Sequence, residues 1–189
     1  MNVPLTHAAE GLERRAFTVR DVIRMVETGV LGRDERFELI GGEIVPMSPK
    51  GIRHERLKVW LNEKLVKGLP GELQTIPETT FYLSDDTFIE PDFVIYPRES
   101  GLEMLSPETC LLAIEIADSS LAYDLGRKAQ LYAEFGISEL WVIDVDAMTV
   151  TRHVGPSAEG YGKVEMLDKQ AALQPANIAD FEISLSEYA

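Results

Sequence analysis

A chain of 189 residues with one cysteine and a net charge of −14 at neutral pH sets early limits. It is long enough for one domain with a proper core, it has no second thiol for an intrachain disulfide or a thiolate zinc site, and its sign opposes long-range attraction to nucleic acid. With 45% hydrophobic and 26% charged residues, no apolar run near the roughly 20 residues of a bilayer span, and no apolar leader in MNVPLTHAAEGLERRA, the composition predicts a globular cytoplasmic protein with no membrane partner.

In chain order, residues 1–16 are polar and aperiodic and read as a loose arm of a single domain over 1–189. TVRDVIRMVETG predicts a short helix with Thr18 as N-cap, Asp21 three residues on and Gly29 as the stop. RFELI and EIVPM around Gly41-Gly42 predict a hairpin, because primed two-residue turns need positive φ. Arg53–Lys67 predicts an amphipathic helix whose stripe is Leu57, Trp60, Leu61 and Leu65. Six basic residues (Lys50, Arg53, Arg56, Lys58, Lys64, Lys67) meet only Glu55 and Glu63 between Pro49 and Gly68, so this segment carries +4. A solvated helix face and a nucleic-acid contact both fit that pattern.

Two short strands come next at Glu72–Ile76 and Thr79–Leu83, then one longer strand at Phe88–Tyr96. Cys110–Ala117 is almost wholly apolar and predicts a strand buried on both faces, interrupted by one acid, Glu115. The helix after it places Leu121, Leu125, Tyr132 and Phe135 on one face with Lys128 among them. Glu139–Val145, Met148–Val154 and Lys163–Leu167 complete the predicted strands, and the last twenty residues carry little pattern. A hairpin, a helix, several strands and then strand–helix–strand predict an α/β domain with a mixed sheet.

A carboxylate in a buried strand is costly unless a cation meets it. Within Phe88–Tyr96 a period of two groups Phe88, Glu90, Asp92 and Val94, and Pro91 marks an edge or bulge. If this strand lies beside Cys110–Ala117, Asp92 and Glu115 converge at one end of the sheet. Two acids with a backbone carbonyl suit Mg²⁺ or Mn²⁺, and such a site serves phosphoester hydrolysis, with Lys128 placed to orient water or steady charge. A turn role for Asp92, a structural Glu115–Lys128 pair, and a Lys128 that reaches past the stripe to solvent stay open beside this. His54-Glu55 lacks the second histidine of a zinc protease motif, and no GxSxG, P-loop or GxGxxG occurs.

EIADSSLAYDLGRKAQLYAEFGISELWVID, preceded by IEPD and by RFELIGGEIVPMSPKGIRHERL, resembles the putative restriction endonuclease (Uma2) family of the PD-(D/E)XK nuclease superfamily, over about residues 18–155. The resemblance implies a restriction-endonuclease-like fold, a central mixed β-sheet flanked by helices with an N-terminal helix and hairpin. It implies a Mg²⁺- or Mn²⁺-dependent endonuclease acting on DNA, with a homodimer as the expected assembly. Carried over residue by residue, Asp92 and Glu115 are the metal acids, aided by the Ile116 carbonyl, and Lys128 is the lysine. In most of the superfamily that lysine lies two residues after the acid, where this chain has Ala117. Glu38 falls where an additional acid is often found, Asp124 is an auxiliary partner near Lys128, and His54, Arg53 and Lys50 are expected to contact nucleic acid. A catalytically silent binding or regulatory module, or a nuclease for another nucleic acid, is the alternative.

Overall fold

The computed structural model describes residues 5–7, 11 and 13–188, for 5–7 the backbone alone. Residues 1–4, 8–10, 12 and 189, part of the expected arm and of the expected 1–189 domain, lie outside the described residues. Contacts group the chain into two compact units, residues 1–49 with 80–90, and residues 50–79 with 91–189.

In the first unit the described part of the arm is paired rather than loose: β1 (Leu5–His7) runs antiparallel to β2 (Glu13–Arg15). Helix α1 (Val19–Glu27) begins as expected at Thr18, whose hydroxyl accepts the Asp21 N–H at 3.2 Å while the Asp21 carboxylate accepts the Thr18 N–H at 3.1 Å. This reciprocal cap satisfies two of the helix's orphan donors. Strands β3 (Phe37–Ile40) and β4 (Glu43–Pro46) form the expected hairpin, with Gly41 and Gly42 at φ 56° and 80°. A side chain on Gly42 would also stand 2.5 Å from the Ala16 Cβ, so only glycine fits there. With β6 (Phe81–Ser84) and β7 (Thr87–Ile89) they make an antiparallel sheet of order β4-β3-β7-β6 (β5 belongs to the second unit).

The single strand expected over Phe88–Tyr96 is two strands in two different sheets. Its first half is β7, and its second half, β8 (Phe93–Pro97), belongs to the other unit. Pro91 has no N–H for a ladder, and the chain leaves one sheet there. The alternation that grouped Phe88 with Asp92 therefore does not hold.

The second unit is a six-stranded mixed sheet of order β12-β11-β10-β9-β8-β5, formed by β5 (Leu73–Pro77), β8, β9 (Leu112–Ala117), β10 (Glu139–Asp144), β11 (Thr149–Ser157) and β12 (Gly160–Leu167). Only β9 and β10 are parallel, and the helix α3 (121–134) connects them. The other helix, α2 (Ile52–Gly68), buries Leu57, Leu61 and Leu65 against Phe93, Ile95, Leu112, Ile114, Ile116, Trp141 and Ile143. Leu173, Ile178, Phe181, Ile183 and Leu185 join the same cluster, so the weakly patterned C-terminal segment is part of the core. The intervening residues of β9, Ala113, Glu115 and Ala117, turn to the opposite face, where α3 lies.

Helix α3 departs from its predicted face. Asp124–Lys128 is a π-helical segment, with the Ala129 N–H donating to the Asp124 carbonyl five residues back. One extra residue in a turn rotates the downstream residues by about 100° relative to an α-helical wheel. The buried residues are Asp124, Lys128, Ala129, Leu131, Tyr132 and Ala133, so Lys128 and Tyr132 keep the expected face while Leu125, expected beside them, is exposed. Among the described residues, no helix is long and apolar enough to cross a membrane.

Cys110 lies two residues before β9 and is 2% exposed, and burial pushes its thiol up to about 12. The thiolate is the reactive form. Iodoacetamide at pH 8 is expected to leave Cys110 unmodified in the native protein and to label it fully in denaturant, as read by intact mass.

Candidate active site

The second unit gathers most of the residues singled out from sequence at one end of its sheet. The register pairs Pro77 with Phe93 and Phe93 with Ile114, so Glu78, Asp92 and Glu115 stand at one level of three neighbouring strands. The Glu78 N–H donates to the Asp92 carbonyl at 3.3 Å, which continues the β5–β8 pairing one step beyond the strands.

Asp92 is 3% exposed. Its Oδ2 accepts the Ile116 N–H at 2.7 Å, which ties it to the backbone immediately after Glu115. Its Oδ1 lies 2.6 Å from Lys50 Nζ and 3.0 Å from His54 Nε2. Burial alone would raise the Asp92 carboxyl, but His54 and Lys50 outweigh it and hold the group below the usual aspartate range. Lys50 Nζ also meets Glu78 Oε1 at 2.6 Å. Lys58 Nζ stands 3.0 Å from the same Glu78 oxygen and 2.8 Å from Glu55. Burial opposes ionisation of Glu78 too, yet the two lysines bring it down to about 2. The Lys50 ammonium, which burial would weaken, is raised above its ordinary value by Asp92 and Glu78.

Glu115 is partnered from the other helix. Its Oε1 lies 2.9 Å from Lys128 Nζ and accepts the Tyr132 hydroxyl at 2.5 Å. Lys128 and Glu115 are each 4% exposed. Lys128, at the end of the π segment, and Tyr132, four residues on, reach the same oxygen. Asp124, also buried, accepts the Ser120 hydroxyl at 2.5 Å, so Ser120 braces this turn rather than capping the helix with its side chain.

The remaining sequence candidates divide. His54 and Lys50 face Asp92 rather than open solvent, and His54 continues the buried stripe of α2 with Leu57, Leu61 and Leu65. His54 Nδ1 lies 3.3 Å from Glu55 Oε1 but outside hydrogen-bond geometry, and it counts among the buried polar atoms with no hydrogen-bond partner. Arg53 is half exposed and bonded to Asp118 and Asp146, beyond the ends of β9 and β10. Glu38 belongs to the first unit, where its Oε1 accepts the Glu90 N–H at 3.0 Å. Glu78 and the Tyr132 hydroxyl were not singled out from sequence, and Lys58 entered only as one of the basic run. Glu78 could have been found by extending the pairing of TIP with PDF one residue outward, and Tyr132 by its place four residues after Lys128.

No group of three or more His, Cys, Asp or Glu side chains among the described residues is arranged to hold a metal ion. The donor set nonetheless suits a hard cation in its chemistry, since Asp92 and Glu115 offer buried carboxylate oxygens and each is already countered by an ammonium group. Glu139, fully buried on β10, is a useful contrast. Its two oxygens are taken by Trp141 Nε1, Arg152 Nε and the Ala176 N–H at 2.6–2.7 Å, so it staples the C-terminal segment to the sheet.

The sequence pattern of the putative restriction endonuclease (Uma2) family matches residues 22–186. Among solved structures, the chain is similar to a putative nuclease belonging to DUF820 from Anabaena variabilis, at a TM-score of 0.69 and 16% identity, covering 90% of this chain and 96% of that one. No curated protein matches it. The shared fold is a mixed sheet with helices, as the sequence predicted.

Removing one partner of a buried ion pair costs about 3–5 kcal/mol, whereas replacing both by neutral groups is far milder. Lys128→Met is therefore expected to lower stability by about that amount in guanidinium unfolding, and Glu115→Gln combined with Lys128→Met to recover most of the loss.

Proposed function

The chain belongs to the putative restriction endonuclease (Uma2) family, and on that premise we propose that it is a divalent-metal-dependent endonuclease that hydrolyses DNA phosphodiester bonds. The observation that carries the proposal is the buried Glu115–Lys128 contact at 2.9 Å beside an Asp92 hydrogen-bonded to the backbone of the same strand. A strand acid, a second acid on the neighbouring chain segment and a lysine delivered by the next helix are the parts that phosphodiester hydrolysis uses.

In this reading Asp92, Glu115 and the Ile116 carbonyl hold Mg²⁺ or Mn²⁺, which when bound polarises phosphate oxygens and lowers the pKa of water. Lys128 supplies a fixed positive charge, positioning the water or the scissile phosphate and steadying negative charge as it develops. Tyr132 keeps Glu115 in one orientation through its hydroxyl. His54 does the same for Asp92. Asp124 and Ser120 hold the turn that aims Lys128. Glu38 acts as a structural acid of the four-stranded sheet.

Nucleic-acid contact in this reading falls to Arg53, whose partners are the exposed Asp146 and the partly buried Asp118. Exposed ion pairs contribute little and are screened by salt, so a phosphate can replace Asp118 and Asp146. One observation favours the second reading, a silent binding or regulatory module. Five of the six basic residues around α2 are already matched to acids (Lys50, Arg53, Lys58, Lys64 and Lys67), which leaves little free positive charge for DNA.

Incubation with supercoiled plasmid separates the two. Nicked or linear products are expected with Mg²⁺ or Mn²⁺ and none with EDTA. Asp92→Asn and Lys128→Gln should each reduce the rate at least about a hundredfold while circular dichroism shows a folded protein. Absence of cleavage on duplex, single-stranded DNA and RNA alike would leave the binding module.

A further inference from the structure

The Lys50 ammonium sits in an unusual place. It lies 2.6 Å from Asp92 Oδ1 and 2.6 Å from Glu78 Oε1, bridging two carboxylates that the sheet register sets side by side. Its side chain is 13% exposed, so it is a counter-ion of the interior and not a surface lysine. It comes from the loop that precedes α2, on a flexible four-carbon stem that can withdraw without moving a strand or helix.

Glu78 is held in a conformation that side chains seldom adopt. Among the described residues it is one of three non-glycine residues with positive φ, at 48°. Such strain persists where the surroundings over-determine it and tends to collect at functional positions. Here its carboxylate is aimed back toward Asp92 and meets two lysines. His54, 4% exposed, places Nε2 on the same Asp92 oxygen that Lys50 touches, so Asp92 keeps a second donor if the ammonium leaves. The imidazole is aimed into the cluster through Nε2, while its Nδ1, beside Glu55, has no hydrogen-bond partner.

Mg²⁺ binds carboxylate oxygens at about 2.1 Å, with Mn²⁺ a similar hard cation. Two oxygens each 2.6 Å from one point need to close in by only about 0.5 Å to hold such an ion there. The ammonium and the ion cannot share that point. We infer that Glu78 is a third carboxylate of the cation site and that Lys50 is its internal competitor, occupying the position between Glu78 and Asp92 until a divalent ion displaces it. The inference rests on the metal-dependent reading above. In that position the lysine neutralises the charge that the ion would otherwise neutralise.

Calorimetric titration with Mn²⁺ alone tests this without any nuclease assay. Lys50→Met is expected to tighten Mn²⁺ binding roughly tenfold or more, and Lys50→Gln to tighten it as well. In EDTA, Lys50→Met should melt below the wild type and be restored by Mn²⁺. Glu78→Gln in the Lys50→Met background should weaken binding about tenfold, as expected for loss of a ligand. Lys58→Met, which removes a charge beside Glu78 but not the bridging group, should have a smaller effect than Lys50→Met. The inference is overturned if both Lys50 variants bind Mn²⁺ no better than the wild type, if Glu78→Gln has no effect in that background, or if Lys58→Met matches Lys50→Met. Failure of the underlying reading looks different. In that case Asp92→Asn leaves Mn²⁺ binding unchanged, or neither the wild type nor Lys50→Met binds the ion.

Discussion

A nearly dry carboxylate cannot stand alone, and the second unit is arranged so that Asp92 does not. One oxygen takes the Ile116 N–H, and the other faces Lys50 and His54. Those contacts tie together the entry to β8, the end of β9, the loop before α2 and the first turn of α2. Leaving a group of this kind without partners would cost several kcal/mol, comparable to the whole stability margin of a domain. The same reasoning covers Glu115, which draws Lys128 and Tyr132 from α3. Each of the two acids is matched by one helix-side cluster, and the sheet holds the two clusters at one level.

This arrangement changes the meaning of the chain's charge. The basic run around α2 looked from sequence like a patch that a polyanion would find. In the fold it is largely neutralised from within, with Lys50 and Lys58 turned to Glu78 and Asp92, and Arg53, Lys64 and Lys67 set against surface acids. The buried pairs belong to the sheet end, while the exposed ones are exchangeable at small cost. Within this run the half-exposed Arg53 is the easiest paired cation to release to a polyanion.

What was legible in the sequence was local. The capping box at Thr18 and the Gly41-Gly42 turn rest on chemistry within four residues, and both form as expected. The buried strand with its lone acid was equally plain, with only its start shifted from Cys110 to Leu112. Other features depend on partners that a local pattern does not contain. The run 88–96 alternates like one strand, but Pro91 lets its halves join different sheets. The C-terminal segment shows no period because it packs as an irregular covering, with Glu139 holding its backbone. Glu78 fell in the gap between two expected strands, and its value lies in what β5 and β8 place beside it.

The π segment of α3 carries a consequence for how such sites are recognised. A lysine on the strand would reach its acid through two residues of extended chain, a distance fixed by the pleat. Here the ammonium reaches the same acid from a helix wound one residue loose, thirteen positions downstream. The constant quantity is a point in space near a carboxylate, and the polypeptide has more than one route to it. A template written as acid, any residue, lysine would pass over this chain. One written as an ammonium within hydrogen-bond reach of a strand acid would find it.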